Sequence, residues 1–575
     1  MDLVNECAAL PLKTFEGRTV RNAGTNVKVR RKNVEIAMRM SLTFCRRVLA
    51  LALILMVVPT WSASAFMHQD SRIRFDEHSP ALFARARQEG KPVFLLISAV
   101  WCYWCKHFEQ NTLKAEQVSA YLNASYVSAF GDYDRRPDLV SRYARGLPMV
   151  VLFSPDGGVR QSFAGALTKE DLLSVLRRVE RDIRAELAKG PPAADAAKPS
   201  PSLALAVSPK VYSRLLDGLA RYLDEQLDAT HGGFGVGSKA PHGRLLALLL
   251  EQPAITGDRR RVAALEKTLD GILQGLYDPV DGGFFHYATG RDWSDPRYEK
   301  MLYVNAALTT VLDRAHRLTG NLRYRKAADA TIAYVLRTFY DTRHGGFFNS
   351  QTADPAYYRL SREQRRTTQR PPVNRDKIAA ASAETIMAFL ALGQSTGRQD
   401  LKEAAFRSLA FVRRELLTDS AVYHIHDAKT GRGQLLGQLE ANAWATLAFL
   451  EAYRVSKNRM YQQAAERVLR YALVELFDVT RGAFVDARDR QEPRREWDIH
   501  LEANGAMALA LLRGHQASGR PEYLETARRV LATLGRDVQT VLTGDSETTS
   551  PRQIAATTFY LRAYGEAVQP RAINR

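Results

Sequence analysis

Two cysteines separated by two residues, in Trp101-Cys102-Tyr103-Trp104-Cys105-Lys106, are the residues best suited to chemistry in this chain. A pair at that spacing on the first turn of a helix passes between dithiol and disulfide with little backbone movement. The first thiol is expected to be exposed, with its pKa lowered by the helix N-terminus so that the thiolate attacks. The other two cysteines, Cys7 and Cys45, fall in a segment that reads as a removable leader, so a mature chain would hold this one thiol pair. A disulfide framework would need more cysteines and a four-ligand zinc site a second pair, which argues against both. Dithiol–disulfide exchange calls for no bound cofactor, and none is expected. It does require a thiol or disulfide partner protein that resets the pair.

A second set of candidate groups lies beyond residue 205, where loops meet helices. They are His286, Trp293, Glu299, Lys300, Tyr303 and Asn305, then Glu440 with Asn442 and Glu502 with Asn504. Aromatic rings with paired carboxylates suit a saccharide ligand, because rings stack on pyranose faces and carboxylates serve as acid and base. Leu-Glu-Ala-Asn occurs at Leu439–Asn442 and again at Leu501–Asn504, placing Glu and Asn at equivalent points of two hairpins. The structural alternative is that these Glu and Asn residues tie loops together and that Trp293 and Tyr303 are core. His424-Ile425-His426 reads as a strand rather than a metal site, since no third ligand accompanies it.

The elements that must position these groups fall into two blocks. Residues 70–185 alternate between types. An amphipathic helix at Ser79–Gln88 precedes a continuous apolar run at Pro92–Ser98 that suits a buried strand. Cys102 opens the next helix; strands are expected at Tyr126–Phe130, Val150–Phe153 and Val159–Phe163, the last two joined by the turn Ser154-Pro155-Asp156-Gly157-Gly158. A helix from Thr168 to about Arg184 closes this block, and a Pro/Ala-rich linker covers 186–204. Residues 205–570 then read as twelve helices, punctuated by Asp-x-x-x-Gly-Gly-Phe at Asp228, Asp278 and Asp341, by Asp478 with Ala483 for one Gly, and by a worn copy at Asp419–Tyr423. Six two-helix hairpins with a loop signal at every second junction favour a closed (α/α)6 toroid, a six-hairpin barrel, over an open helical solenoid.

The first block resembles the thioredoxin superfamily: WCxxC directly after an apolar strand, then Gly146-Leu147-Pro148 and a hairpin about 45 residues later. The resemblance implies an α/β thioredoxin-like domain, a cis Pro148 beside the cysteines, and Leu147 offering backbone groups to a substrate peptide. It also implies Cys102 as attacking thiolate and Cys105 as resolving thiol, with Trp101, Tyr103 and Trp104 shaping the substrate side. Leu96 stands where many thioredoxins bury an Asp, so the proton of Cys105 needs another route, through water or Glu109. The stretch Gly282-Gly283-Phe284…His286-Tyr287…Trp293…Pro296…Glu299-Lys300-Met301-Leu302-Tyr303…Asn305 resembles a two-domain family that fuses such a domain to an (α/α)6 barrel. The mammalian spermatogenesis-associated thioredoxin-domain protein is one member, and the barrel is similar to those of N-acylglucosamine 2-epimerases. This chain has Tyr103 and Lys106 where that family has His, and Val304 where it has Asp.

Residues 1–65 read as a leader: Arg46-Arg47, the apolar run Val48–Val58 and Ala63-Ser64-Ala65 have the anatomy of a secretory signal peptide. Eleven apolar residues fall short of the ~20 that span a bilayer, so no stable membrane span is expected after cleavage. The chain is expected to be exported, to the periplasm in a Gram-negative cell, with Met38 or Met40 as alternative starts. Of the net charge of +19, the leader contributes ten Lys/Arg against four Asp/Glu, leaving +13 on the mature chain. That excess is scattered and carries no nucleic-acid motif, so no nucleic-acid partner is expected.

Overall fold

The alternation of apolar residues in Val93–Ser98 and Met149–Phe153 determines how the first block is layered. Phe94, Leu96, Val150 and Leu152 face one apolar cluster, and Val93, Leu95, Ile97 and Val151 face another on the opposite side. The computed structural model describes residues 71–187, 205–487, 499–544 and 550–569. The leader with its signal, Cys7 and Cys45, and most of the linker lie outside the described residues. Five strands, β1 (Phe75–Glu77), β2 (Val93–Ser98), β3 (Val127–Asp132), β4 (Met149–Phe153) and β5 (Val159–Ala164), form one sheet in the order β1-β3-β2-β4-β5. The first three are parallel; β4 runs antiparallel to β2, and β5 antiparallel to β4.

Five helices flank this sheet: α1 (Pro80–Glu89), α2 (Tyr103–Phe108), α3 (Glu116–Ser125), α4 (Pro137–Tyr143) and α5 (Lys169–Leu187). Ser79 caps α1 by accepting from the Leu82 N–H, and Gly90 ends it in the left-handed region at φ 63°. The α2 helix starts at Cys102, whose side chain occupies the cap position, and continues as a wider turn through Leu113. The Leu147–Pro148 peptide, between α4 and β4, is cis.

Twelve principal helices follow among the described residues, the number the sequence leads one to expect. They are α6 (Pro209–Gln226), α7 (Gly243–Leu249), α8 (Arg259–Gly275), α9 (Leu302–Thr319), α10 (Leu322–Thr338), α11 (Ala379–Thr396), α12 (Gln399–Phe411), α13 (Leu439–Ser456), α14 (Arg459–Tyr471), α15 (Leu501–Ser518), α16 (Pro521–Thr543) and α17 (Thr558–Val568). Helices α7, α9, α11, α13, α15 and α17 each pack on the next, and α17 packs back on α7, which closes the ring. These inner helices are Ala-rich and buried around most of their circumference, as α11 and α13 illustrate, whereas outer α14 buries one stripe and turns Arg and Gln outward. The toroid is therefore an (α/α)6 barrel, and the whole chain combines it with an α/β thioredoxin-like domain.

The Asp-x-x-x-Gly-Gly-Phe loops are the hinges of the hairpins. In each, Asp accepts from the backbone N–H groups two and three residues on, as Asp278 does from Val280 and Asp281 and Asp341 from Arg343 and His344. The first Gly lies against an outer helix: a Cβ on Gly232, Gly282 or Gly345 would come within 2.7 Å of the carbonyl oxygen of Lys267, Ala330 or Arg407. All three have φ between 71 and 80°, so both space and backbone require glycine. A lysine then braces the loop. Lys239, Lys300 and Lys377 each donate to the loop Asp (Asp228, Asp278, Asp341) and to a loop carbonyl.

Candidate functional site at the junction of dithiol and barrel

Cys102 and Cys105 are both free thiols, and the Cys105 N–H donates to Cys102 Sγ at 3.2 Å. The sequence expectation of an exposed, acidic Cys102 is corrected here: Cys102 is 5% exposed and Cys105 2%. Burial pushes the Cys102 thiol well above its ordinary pKa, and the neighbouring Cys105 and Glu299 push it further. The helix end is present, but loss of hydration outweighs it. Glu109, the suggested proton route, is buried one turn beyond Cys105.

The cover over the sulfurs is the barrel. Ala99, Trp101, Cys102 and Cys105 belong to the same apolar cluster as the inner helices. Trp101 stands edge-on to Tyr133 at 5.5 Å and to His286 of the barrel at 5.7 Å, and its Nε1 donates to Asp134. Arg297 lies over the Trp104 ring at 5.2 Å. Of the groups expected on the substrate side, Leu147 packs against the barrel core and Pro148 is buried, while Tyr103 is 39% exposed.

The loop after β3 locks this seating. Arg135 donates to Asp376, Asp427 and Gln434 of the barrel, Asp134 accepts from Asn349, and the Asp134 carbonyl meets His424 Nε2. Burial, with Asp132 adding, pushes the Asp134 carboxyl up to about 7, and burial pushes Asp132 to about 6 despite Arg135. Both values exceed those of the unfolded chain, so the folded state holds these protons longer. Stability is then greatest below about pH 4 for these two groups and falls as pH rises through about 7. Asp134→Asn is expected to stabilise the chain by on the order of 1–3 kcal/mol at pH 8 and by little at pH 4. Denaturant midpoints at the two pH values measure this, and an equal change at both would remove the buried charge as the cause.

Beyond Trp101 a line of polar groups leads into the barrel. His286 Nδ1 lies 3.1 Å from Glu299 and its Nε2 2.8 Å from the Tyr303 hydroxyl. Tyr303 is the second residue of α9, at the rim where the inner helices begin, and Arg244, Glu440 and Glu502 take the same position in α7, α13 and α15. Arg244 forks onto Glu384, at 3.1 and 2.8 Å, donates to Glu502, and stacks on Trp444 at 4.5 Å. Burial opposes the charge of Arg244, but Glu384 and Glu502 outweigh it and hold the guanidinium charged. Glu440 is pushed up to about 7 by burial against the pull of Arg244, with Glu502 and Asp486 adding. The side chains of Arg244 and Glu502 keep 22% and 37% of their surface accessible within this ring.

The sequence candidates thus separate into two groups. His286, Glu299, Tyr303, Glu440 and Glu502 gather at the junction and mouth. Lys300 and Trp293 do not: Lys300 is 0% exposed in its brace with Asp278, and Trp293 is buried against Gly271 and Gly275 of α8 with its Nε1 on the His231 carbonyl. Asn305, Asn442 and Asn504 are loop ties, accepting from the Phe284, Val422 and Phe484 N–H groups. His424 and His426 lie on the strand Tyr423–Asp427. Sequence reading missed Asp134, Arg135, Arg244 and Glu384. Only the rim register of Arg244, two residues into an inner helix like Glu440 and Glu502, offered a signal.

The fold and this site together define a thioredoxin-like unit whose dithiol end is seated on the mouth of an (α/α)6 barrel. Residues 60–158 match the family model Thioredox_DsbH, described as a protein of unknown function, DUF255. Spermatogenesis-associated protein 20 of Mus musculus is 28% identical over 297 residues, covering 47% of this chain and 38% of that protein. The chain therefore spans well under half the length of that curated relative. The thiol:disulfide interchange protein DsbD 1 of Pseudomonas aeruginosa is 34% identical over 104 residues, 18% of each chain. Cellobiose 2-epimerase of Spirochaeta thermophila, a solved structure, superposes with a TM-score of 0.51 at 18% identity, over 62% of this chain and 94% of that one. That likeness is one of fold.

Proposed function

We propose that this protein is an exported, periplasmic thiol–disulfide oxidoreductase working through Cys102 and Cys105. One observation carries the reading: the two sulfurs are free, one turn apart at the start of α2, with the Cys105 N–H aimed at Cys102 Sγ, where a thiolate would form. Cys102 attacks a disulfide, a mixed disulfide forms, and Cys105 releases it by closing the Cys102–Cys105 bond. A thiol donor of the same compartment then resets the pair. The likeness to a thiol:disulfide interchange protein supports this reading. Cys102→Ser is expected to abolish redox titration of the pair and, with Cys105→Ser as the trapping variant, to show which thiol forms the adduct. An unchanged two-electron couple in Cys102→Ser would end the proposal.

A second reading has its own support. Glu440, pushed up to about 7, stands on a rim where Glu384 and Glu502 are paired with Arg244, an arrangement that offers a proton donor beside two further carboxyl groups. The barrel then binds a saccharide at its mouth. With both cysteines replaced by Ser, Glu440→Gln is expected to weaken such binding at least tenfold by calorimetry. A broad saccharide panel without any binder counts against it.

A further inference from the structure

We infer that the substrate of the dithiol is a small-molecule disulfide admitted at the barrel mouth, and that the seated barrel excludes polypeptide disulfides. This rests on the oxidoreductase reading and specifies its substrate class. On the face that would receive an extended peptide, Trp101 is buried in the cluster that holds the inner helices, Leu147 packs against that cluster half-buried, and Pro148 is buried. Its margins are pinned at separate places: Arg135 to Asp376 and Asp427, Asp134 to Asn349, and the Ala144 carbonyl to Arg552 at 2.9 Å. A peptide strand beside Leu147 would have to displace this whole set, including a guanidinium shared by two carboxylates, and would leave buried charges unpaired.

The barrel side is different in character. His286 and Tyr303 connect the surroundings of Cys102 to the rim, where Arg244 and Glu502 retain accessible surface. His286 also keeps part of its side chain accessible, so the polar groups on this side are the ones near Cys102 that still meet solvent. The exchange balances without a further reactant: Cys102-SH and Cys105-SH plus R–S–S–R′ give the Cys102–Cys105 disulfide plus RSH and R′SH. One S–S bond breaks and one forms, the two thiol protons end on the two released thiols, and two electrons pass from the protein to the substrate. A dithiol reductant then returns the pair to its reduced state.

The test is a size series on the full reduced chain. Hydroxyethyl disulfide, glutathione disulfide and insulin are each mixed with it at equal disulfide concentration. Formation of the Cys102–Cys105 bond is followed by mass spectrometry of the peptide that carries both residues. Hydroxyethyl disulfide is expected to react at least 100-fold faster than insulin. In Arg135→Ala, which loosens the seating, the insulin rate is expected to rise at least tenfold while the hydroxyethyl disulfide rate changes little. Equal rates for insulin and hydroxyethyl disulfide in the wild-type chain overturn the size restriction and leave the oxidoreductase reading standing. Oxidation by none of the three sinks the oxidoreductase reading itself.

Discussion

Asp278→Ala is expected to lower the stability of the barrel by about 3–5 kcal/mol, the cost of breaking a buried ion pair by removing one partner. The Asp278 carboxylate receives Lys300 Nζ at 2.7 Å and Arg365 Nη1 at 3.0 and 2.8 Å, and both cations are buried. Lys300 stands among the rings of Phe285, Tyr334 and Tyr358, between 4.5 and 5.1 Å from their centres. Those faces help to hold the ammonium, yet burial still lowers its pKa to about 8 even with Asp278 present. Removing the carboxylate leaves the buried Lys300 with the Gly282 carbonyl at 2.7 Å and no carboxylate in contact, while Arg365 keeps Asp281 at 2.9 Å. The repeat supplies its own control. Asp478 makes the same turn contacts, accepting from Thr480 and Arg481, but no lysine brace to it is seen among the described residues. Asp478→Ala should therefore cost only about 1 kcal/mol, the worth of ordinary hydrogen bonds. Denaturant midpoints of the two variants measured side by side decide the matter. Equal losses would mean that the carboxylate acts through the turn and not through the buried cations.

This brace also shows what sequence can carry. The loops were legible because Asp and the Gly pair keep a fixed spacing, imposed by a turn whose Asp must reach the N–H groups two and three residues on. Their lysines were not, because Lys239, Lys300 and Lys377 follow their Asp across loops of different length, so proximity in space leaves no period in the chain. Lys300 accordingly looked like a pocket residue beside Glu299. The twelve helices were visible from apolar periodicity, and strands β2 to β5 from apolar runs and turn signals. The short edge strand β1 and helix α3 escaped notice, since three residues of FDE and the weakly patterned EQVSAYLNAS offer little contrast.

What no reading of motifs could reach is which face of the thioredoxin-like domain is covered. A Cys-x-x-Cys motif fixes its own local geometry and says nothing about a neighbour. Asp132-Tyr133-Asp134-Arg135 has the composition of a solvated turn. Its charges are instead partnered across the junction, by Asp376, Asp427 and Asn349, residues more than two hundred positions away. The same seating places Glu299 close enough to act on the Cys102 thiol, so the electrostatics of the Cys-x-x-Cys motif are set partly by the second domain.

Alkylation of Cys102 is the sharpest measure of that control. In the native chain at pH 8, a maleimide carried on a long polyethylene-glycol chain, too large for the barrel mouth, is expected to modify Cys102 on the order of 100-fold more slowly than in urea, the ratio for an opening step of about 3 kcal/mol. Two causes act together and separate by variant. The first is access: both sulfurs lie beneath Trp101, His286 and the inner-helix cluster. Arg135→Ala removes donors to Asp376, Asp427 and Gln434, so it should raise the rate by a similar factor at every pH. The second is protonation: burial, Cys105 and Glu299 together keep the proton on Cys102, so the native rate should go on rising above the pH at which an ordinary thiol levels off. Glu299→Gln takes away one of those charges without loosening the clamp. Its effect should be a shift of the pH profile to lower pH, with the same plateau. A Glu299→Gln profile that merely scales upward at all pH values would assign Glu299 to packing, and a native rate equal to that in urea would mean that the barrel does not cover the dithiol in solution.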